Sequence, residues 1–218
     1  MFMLDQREVE ELKALIREEF SDYYELAGGK NYRYHHLVRT HMYVKRMMRR
    51  EELEGLEIDE EVLEVSALFH DLGRKEDIEE GFLNPMEGEN SKHAEKGAEM
   101  VSDYINDFLE DDKVRRVEKV ISNHHREAET VEGEILQDCD ALSNFGVNNL
   151  WRMIHYSADR ERTVDESIEY FWDEALNAYR KKLKDFNLDV SKRIARKRIV
   201  RHQEAVIQME QELHAEDI

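Results

Sequence analysis

Proline occurs once in the 218 residues, at Pro85, and cysteine once, at Cys139. A single cysteine excludes an internal disulfide and fits a reducing cytoplasm, which is the expected compartment. Glycine is also scarce, with nine residues. A β sandwich needs many turns, and turns draw on glycine and proline, so this poverty favours a mainly helical protein. Long apolar runs are missing, and no segment could span a bilayer. The opening "MFMLDQREVEELK" turns acidic at once, without a basic region or an extended apolar core, which argues against a signal peptide. Positive charge is the last deficit: 32 Lys and Arg against 51 Asp and Glu give a formal net charge of −19. Such a surface repels a phosphate backbone, so neither nucleic acid nor a membrane is an expected partner. A local basic pocket could still receive a small phosphorylated ligand. The one basic tract, "YRKKLK…SKRIARKRIVR" within residues 179–201, reads as the solvated face of two helices.

What is present is charge (38%) and apolar side chains (40%) at helical spacing, in a chain long enough for a sizeable core. Residues 6–25 carry Val9, Leu12, Leu15, Ile16 and Phe20 on one face, with Asp5 as N-cap and Gly28-Gly29 as breaker. A second helix is expected over 33–50, with Leu37, Val44, Met47 and Met48 inward. "IDEEVLEVSALFHD" reads as a third, capped by Asp59 and stopped by Gly73. Polar residues 74–90, with Gly81, Pro85 and Gly88, read as a loop. A fourth helix from about Ser91 should bury Ala94, Ala98, Val101, Ile105 and Phe108. A fifth should bury Val114, Val117 and Ile121, its stripe continued by His124, and a sixth should cover 132–146. "TVDE" at 163–166 is a capping box that opens a long helix. Its expected inner face is Val164, Ile168, Phe171, Trp172, Ala175, Tyr179, Leu183 and Phe186. A last helix, about 190–213, would use Ile194, Val206, Met209 and Leu213. No strand pattern, repeat or linker is evident, so the reading is one all-α domain over residues 1–218.

The histidines carry the chemistry. A lone histidine on an apolar face is usually a core residue with a hydrogen bond. Here His36, His70, His93 and His124 fall on four successive helices, and Asp71 and Asp140 add two carboxylates. Burying that set without compensation costs several kcal/mol per ionised group, roughly. A divalent cation removes the difficulty, because deprotonated nitrogen and oxygen ligands are what it needs. The competing explanation is a buried polar network. His41, His155, His202 and His214 lack comparable surroundings and are left as structural.

The order His36 … His70-Asp71 … Asp140 resembles the HD superfamily of metal-dependent phosphohydrolases, all-helical proteins named for the adjacent pair. The pieces that carry the resemblance are "YRYHHLVRTHMYV", "ALFHDLGRKED", "SKHAEKGAEM", "VISNHHRE" and "ILQDCDALSNFG". They span an HD core of about residues 30–146 and leave 147–218 as a helical extension. The resemblance implies that His36, His70, Asp71 and Asp140 bind one divalent metal (Mn, Fe, Ni, Co or Zn). It implies that His93 and His124 bind a second, with Asp71 between the two. His36 is preferred to His35 because Arg39 follows by three, and Asp140 to Asp138 because Ala141-Leu142 follow. His125 is an alternative or companion to His124, as in cyclic-dinucleotide-cleaving relatives, but the Gly-Tyr-Pro signature of that branch is missing. Where many relatives carry Lys three residues after the His of the pair, this chain has Gly73-Arg74-Lys75.

The activity implied is hydrolysis of a phosphoester or phosphoanhydride by a metal-activated water, with His70, Asp71 and Arg74 at the chemistry. Arg74, Lys75, Lys92, Lys96 and Arg126 are the candidates for holding substrate phosphates. The two-metal pattern resembles enzymes that cleave diadenosine tetraphosphate, so a nucleotide is the expected substrate class. Two rivals are a metal-containing regulatory module without turnover and a di-iron oxygenase. The exposed side of the last two helices is a candidate homodimer surface.

Overall fold

The computed structural model describes residues 4–25, 28–79 and 90–218. They fall into two compact units. One is built from the chain up to Glu25 together with Lys30–Asp140, the other from Ala141–Ile218 together with the short segment ending at Gly29. Among the described residues the regular structure is helical apart from one two-stranded ribbon, and no helix is long and apolar enough to cross a membrane.

In the first unit, α1 (Gln6–Glu19) starts where Asp5 caps it: the carboxylate accepts from Arg7 N and Glu8 N, and the Glu8 side chain accepts from Asp5 N. Val9, Leu12 and Ile16 are its buried face. The helix ends well before the glycine pair, and β1 (Tyr24–Glu25) then pairs with β2 (Gly29–Lys30). Those strands were not expected; at two residues each they leave no periodicity to read. The second helix, α2 (Tyr32–Met48), buries Leu37, Val44 and Met47, with Met48 half-buried.

The short α3 (Glu60–Phe69) is the centre of this unit. Val62, Leu63, Val65, Ala67, Leu68 and Phe69 are all fully buried, so beyond its acidic first turn the helix is largely enclosed and lies against α2 and α6. Asp59 caps it by accepting from Val62 N. Residues 74–79, expected as loop, form α4 (Arg74–Glu79); six mostly polar residues give no apolar stripe to mark a helix. The remainder of the expected loop, 80–89, lies outside the described residues. Then α5 (Asn90–Ile105) and α6 (Asp111–Ser122) pack together, burying Ala94, Ala98, Val101 and Ile105 from one and Val114, Val117 and Ile121 from the other. Phe108 is half-buried beyond the end of α5, and Leu109 takes the buried place. The unit closes with the greater part of α7 (Val131–Ser143).

The second unit holds α8 (Asn148–Asp159), which was not foreseen. Only Met153 and Ser157 of it are buried, while Trp151 and Ile154 are exposed, so its apolar face is only partly covered. The Thr163–Glu166 capping box opens α9 (Val164–Tyr170) as expected. A π-helical segment, Phe171–Ala175, follows and leads into α10 (Leu176–Lys182), with Leu176 N bonded to Phe171 O. The wider turn rotates the buried stripe by one position: Phe171, Leu176 and Tyr179 are buried and Ala175 is only half-buried. Two further core expectations fail, since Val164 is 49% exposed and Leu213 42%. Both lie in a terminal turn, where fewer neighbours are available to cover a side chain. The chain ends with α11 (Asp189–Leu213).

His202, on α11, is fully buried. Tyr179 donates its hydroxyl proton to His202 Nδ1 at 3.0 Å and accepts from Asn149 Nδ2 at 2.6 Å. Burial pushes the imidazole down to about 4. Between that value and the ordinary 6.5, the unfolded chain binds the proton and the folded chain does not, so stability falls as pH drops through this window. The stability lost across it is on the order of 3 kcal/mol. Denaturation of wild type and His202→Phe from pH 7 to 4 should show wild type losing more, by roughly that amount; parallel curves would contradict it.

Candidate metal centre

The centre grows from the end of α3. His70 is its C-cap, and the chain turns tightly through Leu72 N–Phe69 O (2.9 Å) and Arg74 N–Asp71 O (2.9 Å). This turn is pressed against α5. A Cβ on Gly73 would stand 2.1 Å from His93 O and 2.7 Å from Gly97 N, so the absence of a side chain at 73 is what lets His93 approach Asp71.

Asp71 divides its two oxygens between two sets of histidines. Oδ2 lies 3.4 Å from His36 Nε2 and 3.6 Å from His70 Nε2. Oδ1 lies 3.2 Å from His93 Nε2 and 3.8 Å from His124 Nε2. Asp140, at the end of the first unit, completes the first set, its Oδ1 lying 3.1 Å from His36 Nε2 and 3.8 Å from His70 Nε2. His125 joins the second set, with Nε2 3.1 Å from His93 Nε2. Two groups of potential ligand atoms, His36-His70-Asp71 and Asp71-His93-His124-His125, therefore share one carboxylate, and within each group the atoms lie within 4.8 Å of one another.

The donor set fits a divalent cation. His70 Nδ1 donates to Ala67 O at 3.1 Å and His124 Nδ1 to Ile121 O at 2.6 Å. Each ring spends its proton on the backbone and turns a bare Nε2 lone pair into the cluster. His124 Nε2 has no hydrogen-bond partner among the described residues, although the ring is buried. Burial alone would raise the Asp71 carboxyl, but Arg33, His70 and the neighbouring imidazoles hold it well below the usual carboxylate range. Asp140 is likewise lowered against burial by His36 and His70. Burial pushes His93 down to about 4, with Asp71 only partly opposing. A neutral His93 beside an ionised Asp71 is the protonation state a cation requires there.

The HD domain family model matches residues 33–144. The chain belongs to the HD domain family. Solved structures of other proteins share the fold along nearly the whole chain. A predicted HD superfamily hydrolase from an uncultured Thermotogales bacterium is 22% identical with a TM-score of 0.62, covering 95% of this chain and 91% of its own. YpgQ of Bacillus subtilis, solved in complex with ADP, is 16% identical with a TM-score of 0.60 and coverage of 94% and 97%. Lin1889 of Listeria innocua is 19% identical, with a TM-score of 0.57 and coverage of 94% and 97%. A search of curated proteins found no match.

Within this HD domain the structure brings His36, His70, Asp71, His93, His124 and Asp140 together. His36 turns inward while His35 is exposed against Tyr34, and Asp140 rather than Asp138 faces His36. Of the cationic candidates, Arg74 is buried at the cluster, with Nε 3.9 Å from Asp71 Oδ1. Of the rest, Lys75 pairs with Glu19, Lys96 with Glu76 and Arg126 with Glu95, while Lys92 is exposed. Sequence reasoning passed over Arg33, whose Nη1 donates to Asp71 Oδ2. Its position three residues before His36, on the same face of α2, was the available signal.

Proposed function

We propose that this protein is a metal-dependent phosphohydrolase that cleaves a phosphoester or phosphoanhydride of a nucleotide. The observation that carries the reading is the division of the Asp71 oxygens between two histidine sets. His36, His70, Asp71 and Asp140 would hold one ion, and His93 and His124, with Asp71 shared and His125 adjacent, a second. When bound, such ions supply Lewis-acid stabilisation of phosphoryl oxygens and lower the pKa of water. The chain's own groups do the rest. Arg74 presents a fixed cation beside Asp71, able to clamp phosphate oxygens. Asp140, ionised and half-buried, can orient a water by accepting from it, while its lowered pKa makes it a weak base. The nucleotide assignment is supported by the ADP complex of the similarly folded YpgQ.

A panel of mononucleotides, dinucleoside polyphosphates and generic phosphoesters, each with Mn, Fe, Ni, Co or Zn added, tests this directly. Phosphate or nucleoside phosphate release from at least one nucleotide is expected. No turnover with any metal would overturn the proposal in favour of a binding module. His93→Ala should also lower bound metal by one ion per chain in elemental analysis; an unchanged content would mean that His93 holds no ion.

A further inference from the structure

Arg33 stands in the first turn of α2 and is 6% exposed; Glu25, the last residue of β1, is 3% exposed. Arg33 Nε donates to Glu25 Oε1 at 3.1 Å and Nη2 to Oε2 at 2.5 Å, a two-pronged fork, while Nη1 donates to Asp71 Oδ2. Burying two such ions costs several kcal/mol each, roughly, and an apolar pair often serves stability as well. What distinguishes this pair is its far end. It meets the Asp71 oxygen that also faces His36 and His70.

The fork fixes the guanidinium plane, because two parallel hydrogen bonds leave it no rotation. The fixed Nη1 in turn fixes the Asp71 carboxylate about its last torsion, which is otherwise soft. Glu25 also cancels the Arg33 charge, so a cation beside Asp71 does not meet an uncompensated guanidinium. We propose that Glu25 and Arg33 form a charge-neutral clamp in which Glu25 positions Arg33 and Arg33 positions Asp71, so that Asp71 can serve both histidine sets. The inference rests on the reading of the cluster as a metal centre. Both are positioning residues, acting through Asp71 and not on substrate.

The test is calorimetric titration of metal-free wild type, Arg33→Met and near-isosteric Glu25→Gln with Mn²⁺, alongside kcat and KM for the best substrate of the panel. Both variants should bind Mn²⁺ about 10- to 100-fold more weakly, the usual effect of losing an outer-shell partner, and lose kcat with KM little changed. Wild-type affinity in both variants would overturn the clamp. So would an Arg33→Met variant with raised KM and wild-type Mn²⁺ affinity, which would make Arg33 a phosphate ligand. If wild type itself binds no Mn²⁺, the metal centre fails and the clamp with it; if wild type binds and both variants match it, only the clamp fails.

Discussion

Asp71→Ala should abolish hydrolysis while leaving the helical circular dichroism signal nearly intact. Losing an outer partner of a metal ligand typically costs ~10–100-fold in metal affinity or activity. In the proposed centre Asp71 is the ligand that both histidine sets share, so its loss should cost more than that, about 10³ in kcat. The fold has reason to survive. Asp71 lies in the turn after α3, and the helix itself is held by the buried Val62, Leu63, Val65, Leu68 and Phe69, which the substitution leaves in place. Arg33 keeps Glu25 as its partner, so no guanidinium is left buried and wholly unpaired. Steady-state rates and far-ultraviolet spectra on the same preparation check both halves of the statement. Retained activity would remove Asp71 from the mechanism.

The second large effect is expected at a residue with no side chain. Gly73→Ala places a methyl 2.1 Å from a backbone oxygen of α5, and backbone cannot swing aside as a flexible side chain would. Overpacking of this kind costs typically ~1–3 kcal/mol, and a backbone collision belongs at or above that upper bound. A loss of about 3 kcal/mol lowers Tm by roughly 6–12 °C in a chain of this size. The same shift would move His93 away from Asp71, so bound metal should fall with Tm. Gly133→Ala is the control: its nearest neighbour would be Ala128 Cβ at 3.5 Å, an ordinary contact, and its melting should stay close to wild type. Equal melting of the two variants would contradict the packing account.

The sequence made some of this legible and hid the rest for identifiable reasons. Capping residues act over three positions, so Asp5, Asp59 and the Thr163–Glu166 box could be read directly and stand as expected. The inward face of α5 and α6 followed from the helical period. The ligand order His36 to Asp140 was legible because a family resemblance tied together residues that are far apart in sequence. Their convergence was not deducible from spacing, since it depends on how α2, α3, α5, α6 and α7 pack. Short elements escaped: α4 is six residues long and each strand two, below any detectable period. The π-helical turn at 171–175 breaks the 3.6-residue rule on which the inner face of that helix was drawn. Charged partners escaped as well. That Lys75, Lys96 and Arg126 face Glu19, Glu76 and Glu95 is a matter of tertiary placement, as is the reach of Arg33 from Glu25 to Asp71.

The most direct measurement is anomalous diffraction from crystals of the Mn²⁺-loaded protein. Two peaks are expected, one among His36, His70, Asp71 and Asp140, the other among Asp71, His93 and His124, with Asp71 touching both. No peak at these side chains, or peaks that leave Asp71 uncoordinated, would contradict the account.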